Sequence, residues 1–223
     1  MMKLVLDTAN IEKVKEYIEY LPVEGVTTNP SILKKEGGVE PIQHLKRLQE
    51  IIGRDKDLHV QVIANDYQGI LDDAHRIVEN INDRVCVKVP VTNDGLKAIK
   101  RLTREGIRIT ATAIYTDMQA LLAAEMGAEF LAPYINRMEN LGIDPYETIY
   151  WLNGQLERSG LETKILAASF KNVSQVTKTL SAGAEWVTLG EGVVDKLLGH
   201  ANVQEAVRDF SKDWEDVYGR QIF

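Results

Sequence analysis

A chain of 223 residues, 44% apolar and 26% charged, can bury one large core and has the composition of an ordinary globular enzyme. A formal net charge of -7 without a strongly basic stretch argues against nucleic acid or an anionic membrane as the main partner, and the single cysteine, Cys86, excludes an internal disulfide. No apolar run reaches membrane-spanning length, and the N-terminus enters Leu4-Val5-Leu6-Asp7 without the layout of a signal peptide, so the cytoplasm is the expected location.

Short apolar runs alternate with longer amphipathic segments, without a linker, a low-complexity tract or a solenoid-period repeat. In chain order, a strand over 3–7 precedes a helix with Ile11, Val14, Ile18 and Leu21 three or four apart. A strand over 25–28 is followed by a helix carrying Ile42, Leu45, Leu48 and Ile52. Strands over 59–64 and 85–89 come next, then a helix with Leu96, Ile99 and Leu102, then a strand over 107–112. Thr116 with Gln119 has the spacing of a capping box. A strand over 130–134 leads to Asp144-Pro145 with Glu147, a cap, a first-turn proline and a third-position acid. After a strand over 164–168, Asn172 with Gln175 repeats the capping-box spacing, and the last strand covers 186–189. The final helix carries an apolar stripe of Val203, Val207, Phe210, Trp214 and Val217, which suits packing on its own barrel or contact with a second subunit.

Eight strands alternating with helices predict an α/β fold, a closed (β/α)8 TIM barrel occupying 1–223 as one domain with an extra C-terminal helix. An open doubly wound sheet usually carries a glycine-rich loop after its first strand, and here Asp-Thr-Ala-Asn stands there instead.

In such a barrel alternate strand residues point inward, and the active site lies at the C-terminal strand ends. On 85–89 the valines Val85, Val87 and Val89 share the outer face, which turns Cys86 and Lys88 inward. A buried lysine is costly unless paired or neutral, and desolvation lowers its pKa and makes it a nucleophile. A head that snorkels to the mouth is the alternative. Asp7, Thr27, Asn29, Gln61, Thr110, Thr112, Tyr134 and Ser169 fall at inward or terminal strand positions, so the mouth gathers a carboxylate, amides, hydroxyls, a phenol and one amine. Each alone has a structural explanation, a helix cap for Asp7 or Asn29 and strand preference for the threonines. Arg137, three residues after Tyr134, suits an anion clamp, and the helix after Ser169 could add backbone N–H donors. His44, His59, His75 and His200 show no ligand spacing, so no metal site is expected, and Cys86 reads as an inert core thiol one layer beneath Lys88. Gly190 and Gly192 suit either a tight turn or close approach to a ligand.

Leu-Asp-Thr-Ala-Asn (6–10), Gly-Val-Thr-Thr-Asn-Pro-Ser (25–31), Val-Lys-Val-Pro-Val-Thr (87–92), Ala-Pro-Tyr-Ile-Asn-Arg (132–137) and Ala-Ala-Ser-Phe-Lys (167–171) together resemble the transaldolase family, in its short-chain branch. The resemblance runs through to Asp213-Trp214 and Gly219-Arg220. It implies that Lys88 forms a Schiff base, that Asp7, Gln61, Thr112 and Tyr134 surround the reacting carbons, that Thr27 and Asn29 hold a dihydroxyacetone portion, and that Arg137 and Ser169 hold a phosphate. The implied reaction is the class I aldol cleavage of fructose 6-phosphate, with neither metal nor organic cofactor, small sugar phosphates as the partners, and a ring-built homo-oligomer, a decamer. Transaldolases carry glutamate where this chain has Gln61 and phenylalanine where it has Tyr134, so both positions side with the aldolase members. Transfer of the dihydroxyacetone unit to a second sugar is the neighbouring expectation, and a non-catalytic binding barrel the distant one. Thr110, where the aldolase members carry leucine, is expected to make the acceptor side more polar.

Overall fold

The apolar runs become eight parallel strands, β1 (Lys3–Asp7), β2 (Val23–Thr27), β3 (Asp57–Gln61), β4 (Cys86–Pro90), β5 (Ile109–Ile114), β6 (Phe130–Pro133), β7 (Lys164–Ala167) and β8 (Trp186–Leu189), closed in sequence order so that β8 pairs with β1. The computed structural model describes residues 2–220 and 222; Met1, Gln221 and Phe223, at the ends of the expected 1–223 domain, lie outside the described residues. The connecting helices are α1 (Ile11–Ile18), α2 (Pro30–Leu33), α3 (Pro41–Ile52), α4 (Tyr67–Asn80), α5 (Asn93–Arg104), α6 (Asp117–Glu125), α7 (Ile135–Asn140), α8 (Pro145–Ser159), α9 (Val173–Ser181), α10 (Glu191–Leu198) and α11 (Ala201–Tyr218). This is the expected TIM barrel with a C-terminal helix.

Two apolar populations follow from strand parity. Outward residues such as Leu4, Val26, Val87 and Val89 pack under the helices, whereas Val5, Cys86, Phe130 and Leu166 form a separate cluster inside the barrel, with Trp186 against it. Close packing inside leaves little room at Gly25, where a Cβ would stand 2.3 Å from the Asp57 carbonyl oxygen of the next strand. Helix starts follow the sequence signals. Asp144 accepts from the N–H groups of Tyr146 and Glu147, and Thr116 and Gln119 form the reciprocal capping box. The Asn172 cap forms too, but Gln175 turns its amide to the Lys171 N–H and not to that of Asn172.

Six strands depart from the expected bounds, β4, β6 and β7 by a single residue at one or both ends and β2, β3 and β5 by two or more, the last three for local reasons. β2 begins at Val23, because Glu24 takes ion pairs from Lys3 and Lys56 and so tolerates a strand position. β3 starts at Asp57, whose carboxylate is held by Arg108, and stops at Gln61, because Asp73 of α4 captures the N–H groups of Ile63 and Ala64. β5 runs on to Ile114 through a bulge between Ala111 and Ile114 at which Ala113 adopts a φ of 57°. A left-handed alanine costs about 1–2 kcal/mol, and bulges at barrel rims re-aim the neighbouring side chains.

Most of the stripe on α11 is exposed, with Trp214 half-buried. No residue of α11 is buried, and Phe210 and Val217 are 70% and 72% exposed. Trp214 stacks on Tyr218 of the same helix. Among the described residues no helix is long and apolar enough to cross a membrane.

Candidate active site

Lys88 projects inward from β4 and is 5% exposed, so it does not snorkel into solvent. Its Nζ donates to the Thr28 carbonyl at 2.9 Å. Burial pulls its pKa below the ordinary lysine range, and the Asp7 carboxylate works in the opposite direction. An amine held in this way carries its lone pair a larger fraction of the time than a surface lysine does.

Of the expected neighbours, Asp7 acts on it electrostatically and Gln61 stands in register with it. On one side Thr27 Oγ1 donates to Asp7 Oδ1 at 2.6 Å and meets Thr188 Oγ1 at 2.6 Å. Thr27 has one proton and spends it on the carboxylate, so Thr188 donates to Thr27, and the chain of hydroxyls fixes Asp7. On the other side Thr112 Oγ1 lies 3.0 Å from the Tyr134 phenol. Gln61 pairs in register with Lys88, and its Oε1 is buried without a hydrogen-bond partner. A buried acceptor left unsatisfied in register with the amine suits a water or a substrate hydroxyl. Asp7 also lines a cavity of about 550 Å³ at the barrel mouth, together with Thr8, Phe170, Gly190 and Gly192.

Asn29 serves first as a helix cap, its side-chain oxygen accepting from the Ile32 N–H at 3.0 Å. Its amide N–H groups and the second lone pair of the oxygen remain for a ligand. Arg137 lies on α7, with its guanidinium carbon 4.7 Å above the Tyr134 ring and its Nη1 donating to the Tyr115 hydroxyl at 3.1 Å. Backbone bonds from Ile135 N to the Ala168 oxygen and from Asn136 N to the Ser169 oxygen draw α7 and the end of β7 together. Ser169 itself has a φ of 65°. The helix whose N-terminus was expected to add backbone donors starts four residues beyond Ser169. α9 begins at Val173, and its Asn172 cap already takes the Gln175 N–H.

Thr110 does not open onto the mouth. It is fully buried and its hydroxyl lies 2.8 Å from His59 Nδ1, so the polar group expected on the acceptor side belongs to an internal pair. Burial pulls the His59 pKa down to about 3, with the nearby Lys88 adding to the effect, which keeps the ring neutral. Cys86 is a buried thiol whose pKa burial pushes up, as expected of an inert core cysteine. The ligand atoms of Asp57, His59 and Cys86 come within 4.8 Å of one another, a proximity between strands that sequence spacing does not reveal. Asp57 is engaged by Arg108 and His59 by Thr110. Sequence reasoning also missed Thr188, Tyr115 and the Thr28 carbonyl. Only Thr188 carried a signal, the alternation of Trp186 and Thr188 against Val187 and Leu189.

The family model for transaldolase/fructose-6-phosphate aldolase matches residues 4–221. A probable fructose-6-phosphate aldolase of Streptococcus pneumoniae is 50% identical over 213 residues, 96% of each chain. A probable transaldolase of Nitrosopumilus maritimus is 39% identical over 217 residues, 97% of this chain and 96% of that one.

Proposed function

Because the chain belongs to the transaldolase/fructose-6-phosphate aldolase family, a family of enzymes, we propose that it is a class I aldolase that cleaves fructose 6-phosphate reversibly to dihydroxyacetone and glyceraldehyde 3-phosphate. The observation that carries this reading is Lys88, a desolvated amine inside the barrel between Asp7 and the unsatisfied Gln61.

In this reading the Lys88 nitrogen attacks the C2 carbonyl, and loss of water leaves an iminium. A base takes the C4 hydroxyl proton, the C3–C4 bond breaks, and its electron pair moves into the iminium to give an enamine. Glyceraldehyde 3-phosphate departs. Protonation at C3 and hydrolysis release dihydroxyacetone and restore the amine. Thr27, Asp7 and the Asn29 amide hold the hydroxyls of the dihydroxyacetone portion. Tyr134, with Thr112 and Gln61, holds the water that carries protons to and from C3 and C4. Arg137 and Ser169 take the phosphate. No metal or organic cofactor enters these steps. The exposed stripe of α11 supports packing against a neighbouring copy in a homo-oligomer, with a ring-built decamer expected in solution.

Borohydride reduction in the presence of substrate is expected to leave a covalent adduct on Lys88, located by mass spectrometry. An unmodified Lys88 would overturn the reading. The likeness to a probable transaldolase favours a second reading, in which the enamine waits for a sugar aldehyde. Gln61 and Tyr134 argue for hydrolysis instead, since a phenol can donate the proton that a phenylalanine cannot. One assay separates the two. The aldolase releases free dihydroxyacetone without an acceptor, whereas the transferase needs erythrose 4-phosphate.

A further inference from the structure

We infer that Gln175 is a positioning residue for the phosphate end of the substrate, acting through Arg137 and Ser169; this rests on the phosphate role of those two residues stated above. Gln175 lies in the first turn of α9 and is 5% exposed. Among the described residues its side-chain hydrogen bonds run to α7 and to the loop after Ser169, the two segments that carry the phosphate clamp, and not to Lys88. Its Oε1 accepts from the Lys171 N–H at 2.7 Å, and its Nε2 donates to Asn136 Oδ1 at 3.2 Å and to Glu139 Oε2 at 2.5 Å. A backbone N–H must face oxygen and a carboxylate must face N–H, so these partners fix the orientation of the amide unambiguously.

The consequence is a brace between two elements. Asn136 and Glu139 flank Arg137 on α7, a helix of six residues with no side-chain cap hydrogen bond at Tyr134. Glu139 is held from its other oxygen by the Tyr146 hydroxyl at 2.6 Å. Lys171 lies two residues beyond Ser169, whose positive φ of 65° is costly for a serine and persists only where its surroundings over-determine it. Backbone bonds tie α7 to the start of this loop, at Ala168 and Ser169, and Gln175 ties α7 to its end at Lys171. The brace therefore sets the distance between the guanidinium of Arg137 and the hydroxyl of Ser169. Displacement of either by an ångström loosens the grip on a phosphate without altering the amine at Lys88.

Gln175→Met keeps the volume and removes both hydrogen-bonding functions. With glyceraldehyde 3-phosphate as acceptor for dihydroxyacetone, its KM is expected to rise about ten- to a hundredfold, whereas kcat/KM with unphosphorylated glyceraldehyde changes less than about twofold. Inhibition by inorganic phosphate weakens in parallel. In an Arg137→Ala background the same substitution has a clearly smaller further effect, because only the Ser169 hydroxyl is then left to position. Should Gln175→Met fail to fold, Asn136→Ala breaks the brace from the half-buried partner side and carries the same expectation. Equal losses on both acceptors, an unchanged KM for the phosphorylated one, or full additivity with Arg137→Ala overturns the role of Gln175. If the wild-type enzyme itself does not favour the phosphorylated acceptor, the phosphate reading of Arg137 falls first, and the brace with it.

Discussion

The two ends of the barrel are both polar, but they treat their charges differently. At the N-terminal floor Arg108 binds Glu129 through two nitrogens at 2.8 Å each and Asp57 at 2.7 Å, and Lys164 adds a third bond to Glu129 at 3.0 Å. Burial alone would raise the Glu129 pKa, yet the hydrogen bonds from Arg108 and Lys164 bring it down to about 2. At the mouth the amine of Lys88 has one carbonyl partner and Gln61 Oε1 has none. The floor charges are matched within the chain, whereas the Gln61 oxygen, in register with the amine, is left short of a partner and suits a group that arrives; His59 Nε2 and Thr179 Oγ1 are also buried without partners but lie away from the amine's end of the barrel.

The sharpest way to break that contrast is to remove one group from each end. If Lys88 carries the proposed covalent intermediate, Lys88→Met is expected to lower aldol cleavage by at least about a thousandfold. The same variant is expected to raise Tm at pH 7. It loses one bond to the Thr28 carbonyl but relieves the burial of an amine, which is the larger cost. Because the folded state depresses the Lys88 pKa, the unfolded chain binds more protons below the unfolded value of 10.5, so the gain in Tm should shrink as pH climbs toward it. A lower Tm at pH 7 would mean that the mouth is held together by Lys88 after all. Arg108→Met should behave in the opposite way. It strands Asp57 and Glu129, at a cost of about 2–4 kcal/mol for a partly buried pair, or on the order of 10 °C in Tm. Borohydride trapping at Lys88 should be unchanged in the folded fraction. Loss of trapping would put the floor into the chemistry.

The division between floor and mouth was legible only in part from sequence. Period-two alternation alone places Lys88, Gln61 and Thr112 on the inner face, because a strand allows only two faces and the apolar residues claim the outer one. Caps such as Asp144 and Thr116 were equally readable, being local. What could not be read depends on pairs far apart in the chain or on backbone geometry without a residue signature. Thr110 meets His59 across 51 residues, so a hydroxyl that looked like part of the acceptor site proves to be occupied inside the barrel. The β5 bulge is centred on Ala113, where no glycine advertises a positive φ. Gln175 had the spacing of a capping box, and its side chain had a stronger offer from Lys171, Asn136 and Glu139.

The smallest expected effect concerns the layer between the two ends and is separable by pH. His59 is neutral in the fold with a pKa near 3, against about 6.5 in an unfolded chain, so below pH 6.5 the unfolded state takes up a proton that the fold refuses. Stability should therefore fall as pH drops from 6.5 toward 3, by about 2 kcal/mol at pH 5 relative to pH 7. Glu129 acts in a lower window. Its depressed pKa keeps its contribution intact above about 4.5, and that contribution disappears only as pH falls toward 2. Replacing His59 alone would leave the buried Thr110 hydroxyl without its partner, so the informative variant is His59→Phe with Thr110→Val, which removes both ends of the bond. Urea melts of this double variant between pH 7 and 5 should lose less stability than the wild type by roughly that same 2 kcal/mol, with the difference confined to pH values above the Glu129 window. Identical pH slopes for the two proteins would show that the ring in the barrel interior accepts its proton as readily folded as unfolded, and would erase the distinction drawn between an uncharged interior layer and a charged, fully paired floor.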